Sequence, residues 1–179
     1  MFRRVLLAFV LFPLLAVLAA CSGGSGVAPE QPDMSGFFML NEDESDDPTQ
    51  LVGMPGRPAG FGGGGGGDAG MALRIEQTDS TLTVSSVGGG QQSMQLFTDG
   101  RTVSREMPNG ATITTKCSWK DGKLKVETKM SGGRGGTMST VTTYWLSDDG
   151  RRLNVRTLIE GGRMQPVQFT RVYDAGSGS

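Results

Sequence analysis

Alternation between apolar and polar residues constrains this chain more than any other feature of its sequence. From residue 71 onward the alternating runs are short, turn-forming residues separate them, and no segment repeats apolar residues at the helical period over three turns. One run places Ile113, Cys117 and Trp119 on one strand face, with Lys116 and Ser118 on the other. Because the Asp-Gly and Asn-Gly pairs between runs accept the positive φ angles of tight hairpins, the pattern predicts consecutive antiparallel strands.

The pattern predicts nine or ten short strands, each with one polar face. They lie near residues 36–41, 71–77, 80–87, 91–97, 102–107, 111–119, 123–130, 137–146, 151–160 and 166–173. Such a sheet leaves exposed edges unless it closes on itself. We therefore expect an all-β fold, an antiparallel up-and-down meander closed into a small lipocalin-like β-barrel, with a two-sheet sandwich as the alternative. The outer faces are too charged for a membrane-spanning barrel.

The first 20 residues have the features of a secretory signal peptide. Two arginines precede an apolar run from Val5 to Leu18, and small residues follow. The run is shorter than the roughly 20 residues that span a bilayer, and Pro13 weakens a permanent helix. A cleaved signal peptide over residues 1–20 is therefore favoured over a single-pass membrane anchor.

The segment LAAC at 18–21 resembles the lipobox of bacterial lipoproteins. The resemblance implies cleavage before Cys21, a diacylglycerol on its sulfur and acylation of the new amino group. Several acyl chains hold a protein on a membrane stably, where a single chain does not. An ordinary signal peptide followed by a chance cysteine is the alternative. Ser22 in place of aspartate favours the outer membrane, so we expect an outer-membrane lipoprotein of the cell envelope that faces the periplasm.

Low-complexity segments flank and interrupt the predicted strands. Residues 21–35 predict a lipidated, disordered tether and residues 174–179 a flexible tail, on either side of a barrel domain at 36–173. Within that domain, residues 42–70 predict a long loop that is first acidic and then glycine-rich. The glycine run at 62–67 lacks both the preceding strand and the Gly-Lys-Ser of a phosphate-binding loop, so it predicts disorder.

Carboxylates crowd the segment from Glu42 to Asp47. They lack the alternating ligands, central glycine and distal glutamate of an EF-hand, so a solvated loop is favoured over a calcium site. Residues 22–70 carry a net charge of −7 and residues 71–173 one of +5, which leaves open that the acidic segment folds back onto the barrel. No metal site and no cofactor are predicted.

Four segments have the form of recurrent strand and hairpin motifs: GFFMLN at 36–41 with Ser45, Asp47 and Pro48, WKDGKL at 119–124, YWLSDDG at 144–150 with Leu153 and Val155, and FTRVY at 169–173. They resemble the motifs of largely uncharacterised secreted bacterial proteins, including lipoproteins, with a lipocalin-like, calycin-type barrel. The resemblance covers residues 36–173 outside the acidic and glycine loops and implies a barrel fold. It departs from the family at Phe38, where the family has tryptophan.

Two arginines fall on the predicted inner face. Strand parity places Arg105 and Arg171 with apolar neighbours, so both guanidinium groups are expected to point inward, where they need a partner. Arg171-Val172-Tyr173 resembles the Arg-x-Tyr of intracellular fatty-acid-binding proteins, which implies a grip on a carboxylate together with a second arginine. The candidate ligand-binding residues are Arg105, Arg171, Tyr173 and Trp119. The alternative is that the arginines cap the barrel end and that Trp119 packs in the core.

Residue types limit the chemistry open to this chain. Without histidine and with only two cysteines, it has no Ser-His-Asp or Cys-His nucleophile, no histidine metal ligand and no disulfide scaffold. A net charge of −1 excludes a strongly basic nucleic-acid binder. Cys117 lies on an apolar strand face, which predicts a buried, inert thiol. Glu106, Glu127 and Asp121 lie on polar faces or in turns, where pKa shifts are rare, so no enzyme is predicted.

Two functions of different classes follow from these features. The lipobox, the tether and the lack of a catalytic cluster favour a lipid-anchored, non-catalytic envelope barrel that binds another envelope component. The barrel prediction, with Arg105 and Arg171, favours instead a lipocalin-like carrier of a small amphipathic ligand such as a fatty acid. In both, the membrane is a predicted partner through the lipid on Cys21, and nucleic acid is not.

Overall fold

Antiparallel strands make up the whole fold in the computed structural model, which describes residues 31–47, 72–87, 92–132, 136–162 and 165–177. The strands are β1 (Gly36–Asn41), β2 (Ala72–Gln77), β3 (Thr81–Val87), β4 (Ser93–Phe97), β5 (Thr102–Glu106), β6 (Thr112–Lys120), β7 (Lys123–Ser131), β8 (Met138–Leu146), β9 (Arg152–Gly161) and β10 (Val167–Gly176). None of the described residues forms a helix of the length and hydrophobicity needed to cross a membrane. The all-β prediction is confirmed.

Consecutive hairpins curl the strands into a half-barrel. The sheet order is β4-β3-β2-β1-β10-β9-β8-β7-β6-β5, so the first and last strands pair with each other. In the described residues no ladder joins β4 to β5, which are the two edges of the sheet. The predicted up-and-down meander of lipocalin-like type is confirmed, and its hydrogen-bonded ring stays open at one place.

The β6–β7 hairpin shows how the local sequence sets the register. Asp121 and Gly122 have positive φ angles of 50° and 69°, as a two-residue hairpin turn that matches the strand twist requires. Lys120 and Lys123 are therefore paired, and the register continues to the pair Thr112 and Ser131. A slip of one residue would exchange the two faces, so this turn decides which residues of β6 and β7 face inward.

The two ends of the half-barrel differ in how they are filled. The turns at 78–80, 98–101, 121–122 and 147–151 lie together at one end, which we call the packed end. The connections at 107–111, 132–137 and 162–166 lie at the opposite end, which we call the mouth. At the packed end, the main chain of Phe97 in β4 lies near the thiol of Cys117 in β6, so these two strands approach each other there.

A buried apolar cluster fills the packed end. Its members come from inward positions of the strands and from the segment before β1: Met34, Phe38, Leu73, Ile75, Leu82, Leu96, Cys117, Leu124, Val126, Tyr144, Leu153 and Tyr173. Leu82, Leu124 and Leu153 have no exposed surface. Burial of this apolar area supplies the main driving force for folding, at roughly 25 cal/mol for each Å² removed from water.

The folded part begins earlier than the sequence predicted. Met34 lies within the predicted tether at 21–35, yet its side chain is fully buried. Its amide nitrogen donates to Oε1 of Gln77 at 3.0 Å, and Nε2 of Gln77 donates to the Pro32 carbonyl at 3.1 Å. One glutamine of β2 thereby holds the segment against the packed end. At the other terminus β10 extends to Gly176, beyond the predicted limit at residue 173.

The start of the acidic loop folds onto β10. β1 ends at Asn41, and beyond it the amide nitrogen of Val172 donates to Oγ of Ser45 at 2.9 Å. The amide nitrogen of Asp46 then donates to the Thr170 carbonyl at 2.8 Å. These bonds satisfy main-chain groups of β10 at the last pair of the β1–β10 ladder, Asn41 and Val172, and beyond it. Ser45, which belongs to the motif that begins with GFFMLN at 36–41, therefore has a structural role.

Charge complementarity supports the same contact. Oε2 of Glu44 lies 2.7 Å from Nη1 of Arg152. Part of the acidic segment therefore folds back onto the barrel, which is the possibility that the charge distribution left open. Both side chains are about half exposed, and an exposed pair of this kind adds little stability. The described residues contain no cluster of three groups able to hold a metal ion. The glycine run at 62–67 and the Cys21 lipobox lie outside the described residues.

Candidate functional site

The inner wall near the mouth stays partly accessible. Directly opposed residues of an antiparallel pair share one face of the sheet, so the register assigns the inward side chains. Those of β6–β10 near the mouth are apolar and half-buried: Ile113, Met130, Met138, Ile159, Val167 and Phe169. We call the space they surround the inner cup. It is an apolar, concave surface that ends on the packed cluster.

Arg171 and Tyr173 lie on the inner wall, as strand parity predicted. Arg171 is opposite Val155, and Tyr173 is opposite Leu153 and Leu40. Tyr173 is 3% exposed and belongs to the packed cluster, whereas Arg171 is half-buried. The guanidinium group therefore marks the transition from the packed cluster to the inner cup.

Arg105 differs from the expectation in its environment. It is opposite Ile113, which places it on the inward face, but every residue of β5 is exposed. The expectation of a buried guanidinium is wrong here because β5 is an edge strand, paired on one side only among the described residues. Five strand spacings of about 4.8 Å separate β5 from β10 along the wall, so Arg105 and Arg171 are not neighbours within the sheet.

Trp119 packs against the buried cluster and carries an unusual polar atom. It is half-buried and lies opposite Leu124 on the inward face. Its indole Nε1 is fully buried, and no hydrogen-bond acceptor for it exists among the described residues. A buried donor without a partner costs free energy, on the order of 1–3 kcal/mol. The ring packs as the alternative expectation has it, and the N–H is enclosed with it at the packed end.

Burial suppresses ionisation in the packed cluster. Desolvation raises the pKa of the Tyr144 phenol far above its usual value, and the nearby Tyr173 and Cys117 act in the same direction. The acid–base candidates from the sequence lie elsewhere: Glu106, Asp121 and Glu127 are exposed, and Glu127 pairs with Lys125 at 2.7 Å. The contribution of the cluster is therefore packing.

Cys117 is expected to resist thiol reagents in the folded protein. Its side chain is 2% exposed, and burial raises the pKa of the thiol to about 11, although the main chain of Phe97 acts in the opposite direction. Because the thiolate is the reactive form, a rise of about two pH units lowers the reactive fraction about a hundredfold. Thiol titration of the Cys21→Ser protein at pH 8, with and without denaturant, measures the effect. Equal rates would show that the packed end opens readily.

The candidate residues named from the sequence omit part of the inner wall. Thr115, Thr128 and Thr157 interrupt the apolar face of their strands, a signal visible in the alternation itself. Their proximity to one another depends on cross-strand register, which alternation does not supply. The sequence therefore shows each threonine separately and leaves open whether they share one surface.

Comparison with known proteins shows the fold and no closer relationship. The chain matches no family model and no curated protein sequence. Among solved structures it is similar to a REP1-NXSQ fatty acid transporter, with a TM-score of 0.52, 12% identity and coverage of 82% of this chain and 98% of that one. Lipid binding protein 8 of Caenorhabditis elegans gives a TM-score of 0.52 and 13% identity, with coverage of 79% and 94%.

A third solved structure has the same fold, but its name mentions neither a lipid nor a fatty acid. Secretory abundant heat soluble protein 4 from Ramazzottius varieornatus gives a TM-score of 0.53 and 14% identity, with coverage of 83% of this chain and 99% of that one. At such identities the similarity establishes a shared fold and nothing further. The chain therefore shares an up-and-down antiparallel β-barrel fold with these three proteins.

Proposed function

We propose that this protein binds a small amphipathic molecule, with a carboxylate head group, in the inner cup. The observation that carries the proposal is the contrast between the two ends: one is filled by buried side chains, and the other keeps apolar side chains such as Met130, Ile159 and Phe169 half exposed. Apolar surface left accessible in a concave wall is typical of a ligand site. The names of the fatty-acid and lipid-binding neighbours support the same class of ligand.

Arg171 is the residue we assign to the head group. A guanidinium group binds a carboxylate through paired, charge-assisted hydrogen bonds. Its position at the base of the inner cup, close to Tyr173, suits a ligand that inserts its head group first and leaves its chain toward the mouth. Arg105, exposed on the edge strand, contributes positive potential near the opening.

The envelope location belongs to this proposal as well. Lipidation of Cys21 would hold the carrier at a membrane surface, where an amphipathic ligand is released or collected. The support is the lipobox in the sequence. The fatty-acid and lipid-binding names of the structural neighbours support a carrier over a partner-binding barrel.

Substitution of Arg171 tests the head-group assignment. In the full chain with Cys21→Ser, which removes the lipid, Arg171→Ala is expected to weaken oleate binding about tenfold to a hundredfold, since charge-assisted hydrogen bonds contribute about 1.5–3 kcal/mol. Oleyl alcohol, which lacks the carboxylate, should bind parent and variant alike. Isothermal titration calorimetry measures both ligands.

Arg156→Ala is the matched control. Arg156 lies on the exposed face of β9, which adjoins β10, and its substitution should leave oleate affinity unchanged. Equal oleate affinity in parent and Arg171→Ala would contradict the head-group assignment. If the parent binds neither oleate nor oleyl alcohol, the carrier function itself is contradicted.

A further inference from the structure

Threonines form a continuous polar patch on the inner wall. Thr115 is opposite Thr128, Thr128 is opposite Thr140, and Thr142 is opposite Thr157. Thr140 and Thr142 are inward neighbours on β8, so the two rows join. We call Thr115, Thr128, Thr140, Thr142 and Thr157 the threonine patch, which crosses β6, β7, β8 and β9.

Apolar residues border the patch on both sides. Along each strand the inward side chains change from apolar to threonine and back to apolar: Ile113-Thr115-Cys117 in β6, Val126-Thr128-Met130 in β7, Met138-Thr140-Thr142-Tyr144 in β8 and Val155-Thr157-Ile159 in β9. The patch is thus a polar band between the packed cluster and the apolar wall at the mouth. Strand formation does not require it, because valine favours strands equally and carries no hydroxyl.

The hydroxyl groups of the patch have few partners in the protein. Oγ1 of Thr115 and Oγ1 of Thr128 lie 3.5 Å apart, at the limit of a hydrogen bond. Thr140 and Thr157 are 7% and 8% exposed, and within the described ranges neither they nor Thr142 have a side-chain hydrogen bond. The wholly enclosed side-chain atoms without a partner in those ranges belong to Thr98 and Trp119. The hydroxyl groups of the patch therefore still face the interior of the cup.

A plain hydrocarbon chain fits this wall poorly. It would cover the threonine hydroxyl groups and displace their water without offering a hydrogen bond in return. A chain with a polar group at the height of the band replaces those lost hydrogen bonds, and its apolar segments still meet apolar wall on both sides. Sites that hydrogen-bond a ligand hydroxyl discriminate strongly against the analogue that lacks it.

We propose that the ligand of the inner cup carries a hydroxyl or keto group part of the way along its apolar chain, as in a hydroxylated fatty acid, and that the threonine patch binds this group. This inference rests on the proposed carrier function and specifies its ligand. It concerns a part of the wall separate from Arg171, so the two assignments have separate tests.

The test compares 10- and 12-hydroxystearate with stearate in the Cys21→Ser full chain, by isothermal titration calorimetry. We expect at least one hydroxy acid to bind about tenfold more tightly than stearate. Thr140→Val with Thr157→Val keeps side-chain shape and removes two hydroxyl groups. This double variant is expected to lose the preference and to bind stearate at least as tightly as the parent does.

Two further variants make the result specific. Thr142→Val removes a single hydroxyl group from the patch and should reduce the preference even if the double variant fails to fold. Thr143→Val, on the outer face of the same strand, should leave the preference unchanged. Equal binding of stearate and both hydroxy acids by the parent would overturn the threonine assignment and leave the carrier function intact. Absence of binding by all three acids would overturn the carrier function as well.

Discussion

Replacement of Leu124 by alanine is expected to lower the free energy of unfolding by about 3–4 kcal/mol. The side chain has no exposed surface and lies between Trp119 in β6 and Tyr144 in β8. Truncation removes buried apolar surface and leaves a cavity that rigid strands on both sides fill only in part. Denaturant unfolding followed by tryptophan fluorescence and by circular dichroism measures the change.

Met39→Ala is the matched control for this prediction. Met39 is a large apolar residue in a strand, but it lies on the outer face and is 53% exposed. Its truncation should cost less than about 1 kcal/mol, since little buried surface is lost. If Leu124→Ala were as mild as Met39→Ala, the packed end would not be the structural core, and the contrast with the mouth would disappear.

Local sequence predicts most of the fold because nearly every strand pairs with its neighbour in the chain. Period-two alternation defines the strands, and Asp-Gly or Asn-Gly pairs define the turns, so a strand predicted at 123–130 is found as Lys123–Ser131. The break in pairing between β4 and β5 is not predicted by these local signals. Asp99-Gly100 is a turn signal like the others, yet no ladder follows it in the described residues. The sequence TVSRE of β5 offers one apolar side chain to bury against β4.

Strand parity predicts which face of the sheet a side chain occupies, but the burial of that side chain depends on the neighbouring strands. The inward positions of Arg105 and Arg171 follow from alternation alone, and both are found. Their environments differ because Arg171 lies in a strand paired on both sides and Arg105 lies at an edge. Met34 illustrates the same limit: nothing in its own segment indicates that Gln77, 43 residues later, will hold it against the packed end.

The threonine patch is the clearest case of information that alternation lacks. Each threonine is visible in its own strand as a polar residue on an apolar face. Only the register shows that Thr128 lies between Thr115 and Thr140 and that the hydroxyl groups gather on one area of wall. Turn lengths decide this register, and the connection between β7 and β8, SGGRGG at 131–136, contains two Gly-Gly pairs and so defines no single turn position.

Replacement of Gly161 by alanine is expected to lower the free energy of unfolding by about 3 kcal/mol or more, close to the effect of a core truncation. Gly161 has a φ of +105°, which an L side chain adopts only with strain of roughly 1–3 kcal/mol. A Cβ atom there would lie 2.5 Å from the carbonyl oxygen of Thr137 and 3.0 Å from Cα of Met138. Both are main-chain atoms, so β8 and β9 would have to separate where they meet at the mouth.

Gly150→Ala separates the two contributions to this effect. Gly150 also has a positive φ, +68°, but a Cβ atom there would meet nothing within 4 Å. Its substitution should lower the free energy of unfolding by about 1–2 kcal/mol, which is the contribution of the strained φ angle alone. The excess loss in Gly161→Ala then measures the close approach of the two backbones. If both variants lose the same free energy of unfolding in denaturant, β8 relaxes away from β9 at little cost. The wall of the inner cup would then be deformable at the place where β8 and β9 meet near the mouth.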